Sequence, residues 1–324
     1  DSDNKAVGLE PLPEDLLVDI FERLSLRDQT RLGACCSRFR SINHSKVKRK
    51  FDAIVALWGD SYQYITTYEC YKALKRTRCW MQGPRDEGEF EFDASEEIFF
   101  ENSRTNALEI TVKAVNDRPY SLLSKLFKTL QFESLEIDFT VSEEHNIALL
   151  KSLMTGRDLS DSSLTIKWSR AMSDDIEETR NFLREFPLVK SLNLTWIYWG
   201  PGAESLQTEV ITDDILLYLF DHCFEELIVG EGEFTLDAII SVYEKLHVSD
   251  GKLVQLTARS EVVEQFVQKS VQLDDESTVR IVQGKQSYHE GETAMRTVLM
   301  TNNYENFKEK IEFFVFYQTS ATHM

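Results

Sequence analysis

Basic residues are scarce in this sequence: 36 lysines and arginines stand against 55 aspartates and glutamates, a net charge of −19 over 324 residues. The shortage is local. Residues 1–50 hold ten basic and eight acidic side chains, so the remainder holds 26 against 47 and carries −21 by itself. A surface that acidic repels phosphate backbones and argues against nucleic acid as a partner. Long apolar runs are missing too. None approaches the roughly 20 residues that a membrane-spanning helix needs, and Asp1 to Leu9 lacks the apolar stretch of a signal peptide, so residues 1–10 read as a disordered terminus. Cysteine is sparse: Cys35, Cys36, Cys70, Cys79 and Cys223 are odd in number, and two are adjacent. That suits no disulfide framework, and points to buried structural thiols in a reducing compartment, cytoplasmic and/or nuclear.

Catalytic motifs are missing as well. The six histidines, at 44, 145, 222, 247, 289 and 323, form no pair at metal-binding helical spacing, so no metal is expected. Gly230-Glu231-Gly232 is too short for a dinucleotide fingerprint, and its carboxylate would repel phosphate. No Gly-x-Ser-x-Gly or Gly-Lys-Ser/Thr string occurs, and no cofactor is implied. His222-Cys223 pairs a base with a thiol, but neighbours on a helix do not face each other. Asp213-Asp214 reads as a helix start rather than an acid–base dyad. The expectation is a non-enzyme.

What is present is length for two domains and 42% hydrophobic residues to build their cores. From Pro11 to Lys50 three helical segments can be read. Leu12-Pro13-Glu14-Asp15 opens the first, with proline tolerated in the first turn and two acids at the positive end of the dipole. Leu16, Leu17, Ile20, Phe21 and Leu24 then form one broad apolar stripe. Asp28 can cap a second helix carrying Leu32, Cys35 and Cys36, and Ser37-Arg38-Phe39-Arg40 with Ile42 leads into a basic third. The run Lys46-Val47-Lys48-Arg49-Lys50 reads as the solvated end of that helix, with a nuclear-import patch as the alternative.

The strings Leu12-Pro13-Glu14-Asp15-Leu16-Leu17-Val18-Asp19-Ile20-Phe21-Glu22-Arg23-Leu24, Leu26-Arg27-Asp28 and Cys36-Ser37-Arg38-Phe39-Arg40 resemble the F-box. The resemblance implies a small helical bundle at residues 11–50 that binds a Skp-family adaptor and, through it, a cullin. The adaptor contacts it implies are Leu12, Pro13, Leu16, Leu17, Ile20, Phe21, Leu24, Leu32, Cys36 and Phe39. Three positions depart from the family pattern. Gln29-Thr30 replaces a commoner apolar residue, Gly33 sits inside the second helix, and Phe39 stands where Trp is frequent. Gly33 should cost that helix about 1 kcal/mol relative to Ala.

Beyond residue 106 a short motif recurs: Ala107-Leu108-Glu109-Ile110, Ser134-Leu135-Glu136-Ile137, Ser163-Leu164-Thr165-Ile166 and Ser191-Leu192-Asn193-Leu194. Weaker copies centre on Leu227, Val254 and Val279, giving steps of 27, 29, 28, 35, 27 and 25 residues. Alternation inside each copy marks a short strand with one buried face. Between copies, helical patterns open at Ser142-Glu143-Glu144, Ser173-Asp174-Asp175, Thr212-Asp213-Asp214, Thr235-Leu236-Asp237 and Ser260-Glu261. In each, a hydroxyl can cap the helix and an acid can meet its dipole. The fold class expected is α+β multidomain: the helical F-box, a connecting region at 51–105, and an irregular leucine-rich-repeat-like α/β solenoid at 106–324. A doubly wound α/β domain is the alternative. In the connecting region Phe51 to Trp58 reads as a continuing helix, Gln82 to Gly88 as a loop, and Phe90–Phe92 and Ile98–Phe100 as strands. The pairing of an F-box with such a divergent domain resembles the large nematode F-box expansions.

That resemblance implies the substrate-recognition subunit of an SCF-type cullin-RING ubiquitin ligase. A non-degradative adaptor-bound scaffold is the alternative, and an α/β enzyme a further one. The solenoid would hold an unknown protein target on its strand face. If Leu135 and Ile137 point inward, Glu136 and Asp138 point outward, as do Glu109, Thr165, Lys167, Asn193, Thr195, Gln255 and Arg280 elsewhere. The longest step holds Trp196-Ile197-Tyr198-Trp199-Gly200-Pro201-Gly202, in which Trp199 shares the outward parity and is a candidate anchor, and Trp196 the inward one.

Overall fold

The computed structural model describes residues 9, 12–24, 26–59, 63–69, 80–82, 100, 103–113, 118–139, 144–168, 175–196, 210–249, 251–273, 279–285 and 295–311. Two compact units divide the chain, one of residues 1–109 with 118–133 and one of residues 110–117 with 134–324.

The first unit begins with α1 (Glu14–Arg23), α2 (Leu26–Gly33) and α3 (Ser37–Ser45). Pro13 occupies the N-cap of α1, and Arg38 Nη2 of α3 donates to Leu12 O at 2.8 Å, tying down the chain just before α1. α2 starts two residues before Asp28, so Asp28 lies in its first turn and not at its cap. Gly33 ends α2, which leaves Cys35 and Cys36 outside it; Cys36 Sγ instead caps α3 by accepting from Phe39 N. Leu17, Phe21, Phe39, Ile42 and Val47 form the core of this bundle, with the Phe21 and Phe39 rings edge to face at 6.2 Å.

The basic run after α3 is a correction. Lys46 caps α3, and Arg49 begins a strand, β1 (Arg49–Gly59), which pairs antiparallel with β2 (Gln63–Glu69), itself paired with β3 (Trp80–Gln82). The segment 51–58 is therefore strand, not helix. Ile54, Ala56 and Trp58 are buried while Ala53, Val55 and Leu57 are partly exposed, a period of two that the helix-forming alanines and leucine obscure. A register shift between Phe51 and Ala53 puts Phe51 on the buried side as well. There it meets Phe100, and Phe100 meets Phe127 of α4 (Arg118–Phe127), at ring distances of 6.1 and 5.3 Å. β4 (Ser103–Lys113) carries buried Leu108. The readings at 83–88, 90–92 and 98–99 lie outside the described residues.

The second unit, which takes up β5 (Gln131–Phe139) from residue 134, alternates strand and helix: α5 (Glu144–Met154), β6 (Ser163–Trp168), α6 (Ile176–Arg184), β7 (Val189–Trp196), α7 (Asp213–Asp221), β8 (Cys223–Glu231), α8 (Leu236–His247), β9 (Leu253–Arg259) and α9 (Ser260–Leu273). β5 through β9 pair in chain order and parallel, with Leu135, Leu164, Leu192, Leu227 and Val254 directly opposite one another. None of the five exceeds 1% exposure. Strand order that never reverses, with crossovers that are nearly always right-handed, puts α5–α8 on one face and creates no switch point of the doubly wound kind.

The parallel array stops at β9. β10 (Arg280–Lys285), the last copy of the motif, pairs antiparallel with β11 (Met295–Thr301), and β11 pairs antiparallel with β9. The repeat pattern is corrected here: its seventh copy does not pair with its sixth, because the apolar run 298–300, which carries no copy of the motif, takes the place next to β9. A helix over 304–311 follows. Leu253, Leu299 and Ile311 bury together with Tyr304 and Phe307 against them. Leu253 has the parity opposite to Val254, so this last helix lies on the strand face that α5–α8 do not cover. Among the described residues no helix is long and apolar enough to cross a membrane.

Helix starts follow their caps. Thr235 caps α8 by accepting from Ala238 N, and Asp175, rather than Ser173, caps α6 by accepting from Glu177 N. Thr212 makes no cap bond; its hydroxyl donates to Asp214 Oδ1.

Packing of the leucine ladder makes a measurable claim. Leu164→Ala, with buried leucines on both flanking strands, is expected to cost about 2–5 kcal/mol in chemical denaturation. Its neighbour Thr165→Ala, on the partly exposed face, is expected to stay within about 0.5 kcal/mol.

Candidate functional site

Two ladder rows of candidate target residues cross the face that the leucines do not occupy. Glu136, Thr165 and Asn193 stand opposite one another, as do Asp138, Lys167 and Thr195 one row further on. Glu136 is exposed, and Asp138, Thr165, Lys167, Asn193 and Thr195 are partly exposed. Lys167 Nζ donates to Glu136 Oε1, so the one cation of the strip is turned toward the first row. Burial pushes the Asp138 carboxyl above the ordinary carboxylate range; Lys167 and Lys113 pull it back, and Glu136 adds to the rise.

The other candidate target residues separate from this strip. Gln255 on β9 stands opposite buried Leu299, beside the apolar cluster under the helix 304–311. Lys310 of that helix donates to Glu226 Oε2, in the row of the open face that precedes Leu227. The polar face is thus closed at its β8–β9 end and, among the described residues, left open over β5–β7. Glu109 is exposed on β4 in the first unit. Trp199 lies outside the described residues, and for Trp196 and Arg280 only the backbone is described.

The adaptor residues named from sequence divide into two groups. Leu17 and Phe21 are fully buried and Phe39 is 5% exposed, so these three are core and cannot be contacts in the folded chain. Pro13 and Leu16 are exposed, Leu16 at 50% of its surface, and Leu12, Ile20 and Leu24 are partly exposed. Leu9, which was not among those adaptor residues, is 38% exposed and precedes them. Leu16 and Ile20 are one helical turn apart and share a face of α1. Leu32 and Cys36 pack partly against the core.

Beneath that face lies a polar network which pattern reading missed. Gln29 is 5% exposed and donates from Nε2 to Phe21 O and Leu24 O at 2.9 and 3.2 Å, satisfying the last carbonyls of α1. Arg49, also 5% exposed, donates from Nε to Gln29 Oε1 at 3.2 Å and from Nη2 to Asn43 O at 2.6 Å. Asn43 Nδ2 donates to Gln29 O at 3.3 Å. Burial lowers the guanidinium pKa to about 10, so it remains charged at neutral pH. The polar Gln29 that departs from the family pattern is the acceptor for this arginine. Gly33 also has a reason, because an alanine Cβ there would stand 3.0 Å from Asn43 Nδ2.

The chemistry weighed at His222-Cys223 is absent from the geometry. His222 closes α7 and stacks on Tyr218 at 3.9 Å, with Nδ1 2.8 Å from Tyr218 O. Cys223 is buried at the start of β8, its thiol donates to Glu226 O at 2.8 Å, and burial pushes its pKa up to about 11. A thiol so protonated is a poor nucleophile. Asp213 accepts from both N and Oγ1 of Thr235, joining the start of α7 to the start of α8. A depression of about 520 Å³ lined by Glu225, Gly251, Asn303, Asn306 and Phe307 lies toward the N-terminal ends of β8 and β9. Parallel α/β enzymes bind ligands at the opposite, C-terminal ends. Among the described residues no group of three histidine, cysteine or acidic side chains could hold a metal ion.

No curated protein matches the chain. Residues 9–50 match the family model of the F-box domain, a domain that binds Skp-type adaptors. Together, this match and the three-helix bundle with its exposed apolar edge support an F-box protein.

Proposed function

We propose that the chain is the substrate-recognition subunit of an SCF-type cullin-RING ubiquitin ligase. The observation that carries this reading is the apolar edge of α1. Leu16, Pro13 and Leu9 are exposed while a complete core lies behind them, so these side chains serve no packing purpose within the bundle. On this reading the second unit is a leucine-rich-repeat-like solenoid whose open β5–β7 face takes the protein target, a pairing with the F-box that resembles the nematode F-box expansions. The receptor performs no bond chemistry itself. It raises the effective concentration of target lysines near the loaded conjugating enzyme.

Affinity purification with mass spectrometry tests both surfaces together. The parent chain is expected to recover a Skp-family adaptor, a cullin and partners whose cullin-dependent ubiquitination can be followed. Glu136→Lys is expected to keep the adaptor and lose partners. Recovery of partners without their ubiquitination would favour a scaffold, and absence of any adaptor would remove the proposal.

A further inference from the structure

Among the described residues five large apolar side chains are exposed, and two of them, Leu9 and Leu16, belong to the bundle. The other three, Leu188 at 48%, Phe224 at 47% and Val248 at 87%, all lie in the second unit. Leu188 immediately precedes β7, Phe224 is the second residue of β8, and Val248 caps α8 just ahead of β9. Because β7, β8 and β9 run parallel, these positions share the N-terminal edge of the strands. Phe224 owes its exposure to a bulge. Between the pairs Val189–Cys223 and Ser191–Glu226, β8 takes three steps against two of β7, and Phe224 and Glu225 both emerge exposed.

The depression described above opens at this same edge. Glu225 follows Phe224, Gly251 lies three residues after Val248, and Asn303, Asn306 and Phe307 come from the chain just after β11 and the helix 304–311. Much of its polar lining is unengaged. Asn303 Oδ1 accepts from Asn306 N, which leaves Asn303 Nδ2 and the whole Asn306 carboxamide without hydrogen bonds among the described residues. Glu225, the one charged residue of the lining, meets Lys190 at 3.5 Å in an exposed pair of little strength.

We propose that this edge binds an extended segment of a partner protein, one that carries an apolar side chain within a few residues of a cationic one. A carboxamide offers donors and an acceptor in one plane, the complement of a main-chain peptide group. In the helices and sheets of a folded partner those groups are already bonded, whereas an extended segment keeps them free. The apolar side chain covers Phe224 and its two neighbours, which have no packing role of their own. The cation answers Glu225, and the acid surplus of residues 51–324 acts in the same sense. A volume of about 520 Å³ is ample for a few residues, while a lining with Phe307 as its single large apolar member is a poor match for a small apolar ligand. The surface uses no residue of the β5–β7 strip and goes beyond the receptor reading.

The test pans a displayed library of random linear dodecapeptides on the full chain, then titrates the most enriched peptide, fluorescein-labelled, by anisotropy. Enriched sequences are expected to pair an aromatic or aliphatic residue with lysine or arginine. Phe224→Ser is expected to weaken binding at least about tenfold, and Val248→Ser about threefold. Asn306→Ala is expected to weaken it at least about threefold, although alanine is the better helix former and a purely structural role predicts no loss. N-methylation of the peptide backbone beside its apolar residue is expected to cost about fivefold. Glu225→Gln should weaken binding more than Glu261→Gln, an equal change of charge on an exposed residue of α9. Val248 and Asn306 are exposed, so their variants remain folded even if Phe224→Ser does not. No enrichment over an unrelated protein, or equal affinity of the enriched peptide for the parent, Val248→Ser and Asn306→Ala chains, would overturn the inference. So would light scattering that shows self-association abolished by Val248→Ser, which makes the occupant a second copy. Adaptor recovery is expected to be the same in these variants as in the parent. Failure of this edge therefore leaves the receptor reading standing, and absence of any adaptor removes that reading without touching this edge.

Discussion

Replacing Leu16 and Ile20 together by aspartate is expected to abolish recovery of a Skp-family adaptor while the chain stays folded. Leu16 is half exposed and Ile20 partly so, and neither belongs to the bundle core, which means that their loss removes contact surface and little packing. A buried interface anchor is worth about 2 kcal/mol or more on truncation, so two of them give about a thousandfold in affinity. Phe21→Ala must behave differently. Phe21 is fully buried and meets the Phe39 ring, so it is expected to cost about 3–5 kcal/mol of stability and to lose the adaptor only by unfolding the bundle. Calorimetric titration with purified adaptor, alongside circular dichroism, separates the two outcomes. Adaptor binding that survives in the folded double variant would exclude this face of α1.

The second large effect belongs to Arg49. Arg49→Ala is expected to cost roughly 3 kcal/mol or more in urea denaturation, because it strips donors from Gln29 Oε1 and from the Asn43 carbonyl while both stay buried. Arg49→Lys should not restore it, since an ammonium lacks the fork that reaches two acceptors. The double variant Gln29→Leu/Arg49→Met is expected to recover part of the loss. It replaces both partners of the Gln29–Arg49 bond with apolar groups, which removes that pair's desolvation cost, while Phe21 O, Leu24 O and Asn43 O lose their donors and keep the recovery partial. A loss below about 1 kcal/mol in Arg49→Ala would mean that the network supports nothing.

Gln29 and Arg49 also show where sequence reading stops. Seen alone, Gln29 is a polar residue at an apolar position and Arg49 one cation in a basic run. Nothing in their spacing says that 20 residues of chain fold back to bring them together. Cys36 and Asp28 fail for a related reason: a cap is defined by where the helix starts, and two residues of displacement reassign it.

The leucine ladder was readable because its signal is local and repeated. Each copy places a leucine between two outward residues, and parallel strands joined by helices of similar length can align only in that register. Period-two alternation likewise determined which side chains of β5–β7 face outward. The three helices of the N-terminal bundle followed from their apolar stripe and breaks in the same way. Which half of that stripe is buried did not follow, because Leu16 and Leu17 are equally apolar and only packing against Phe39 and Ile42 separates them. The ends of the sheet were decided by tertiary structure as well. β11 enters beside β9, and the helix 304–311 covers one end of the open face, since both are held by residues far apart in the chain: Leu253 against Leu299 and Ile311, and Glu226 against Lys310. Periodicity reports which face of an element is apolar; what covers that face depends on contacts between distant segments.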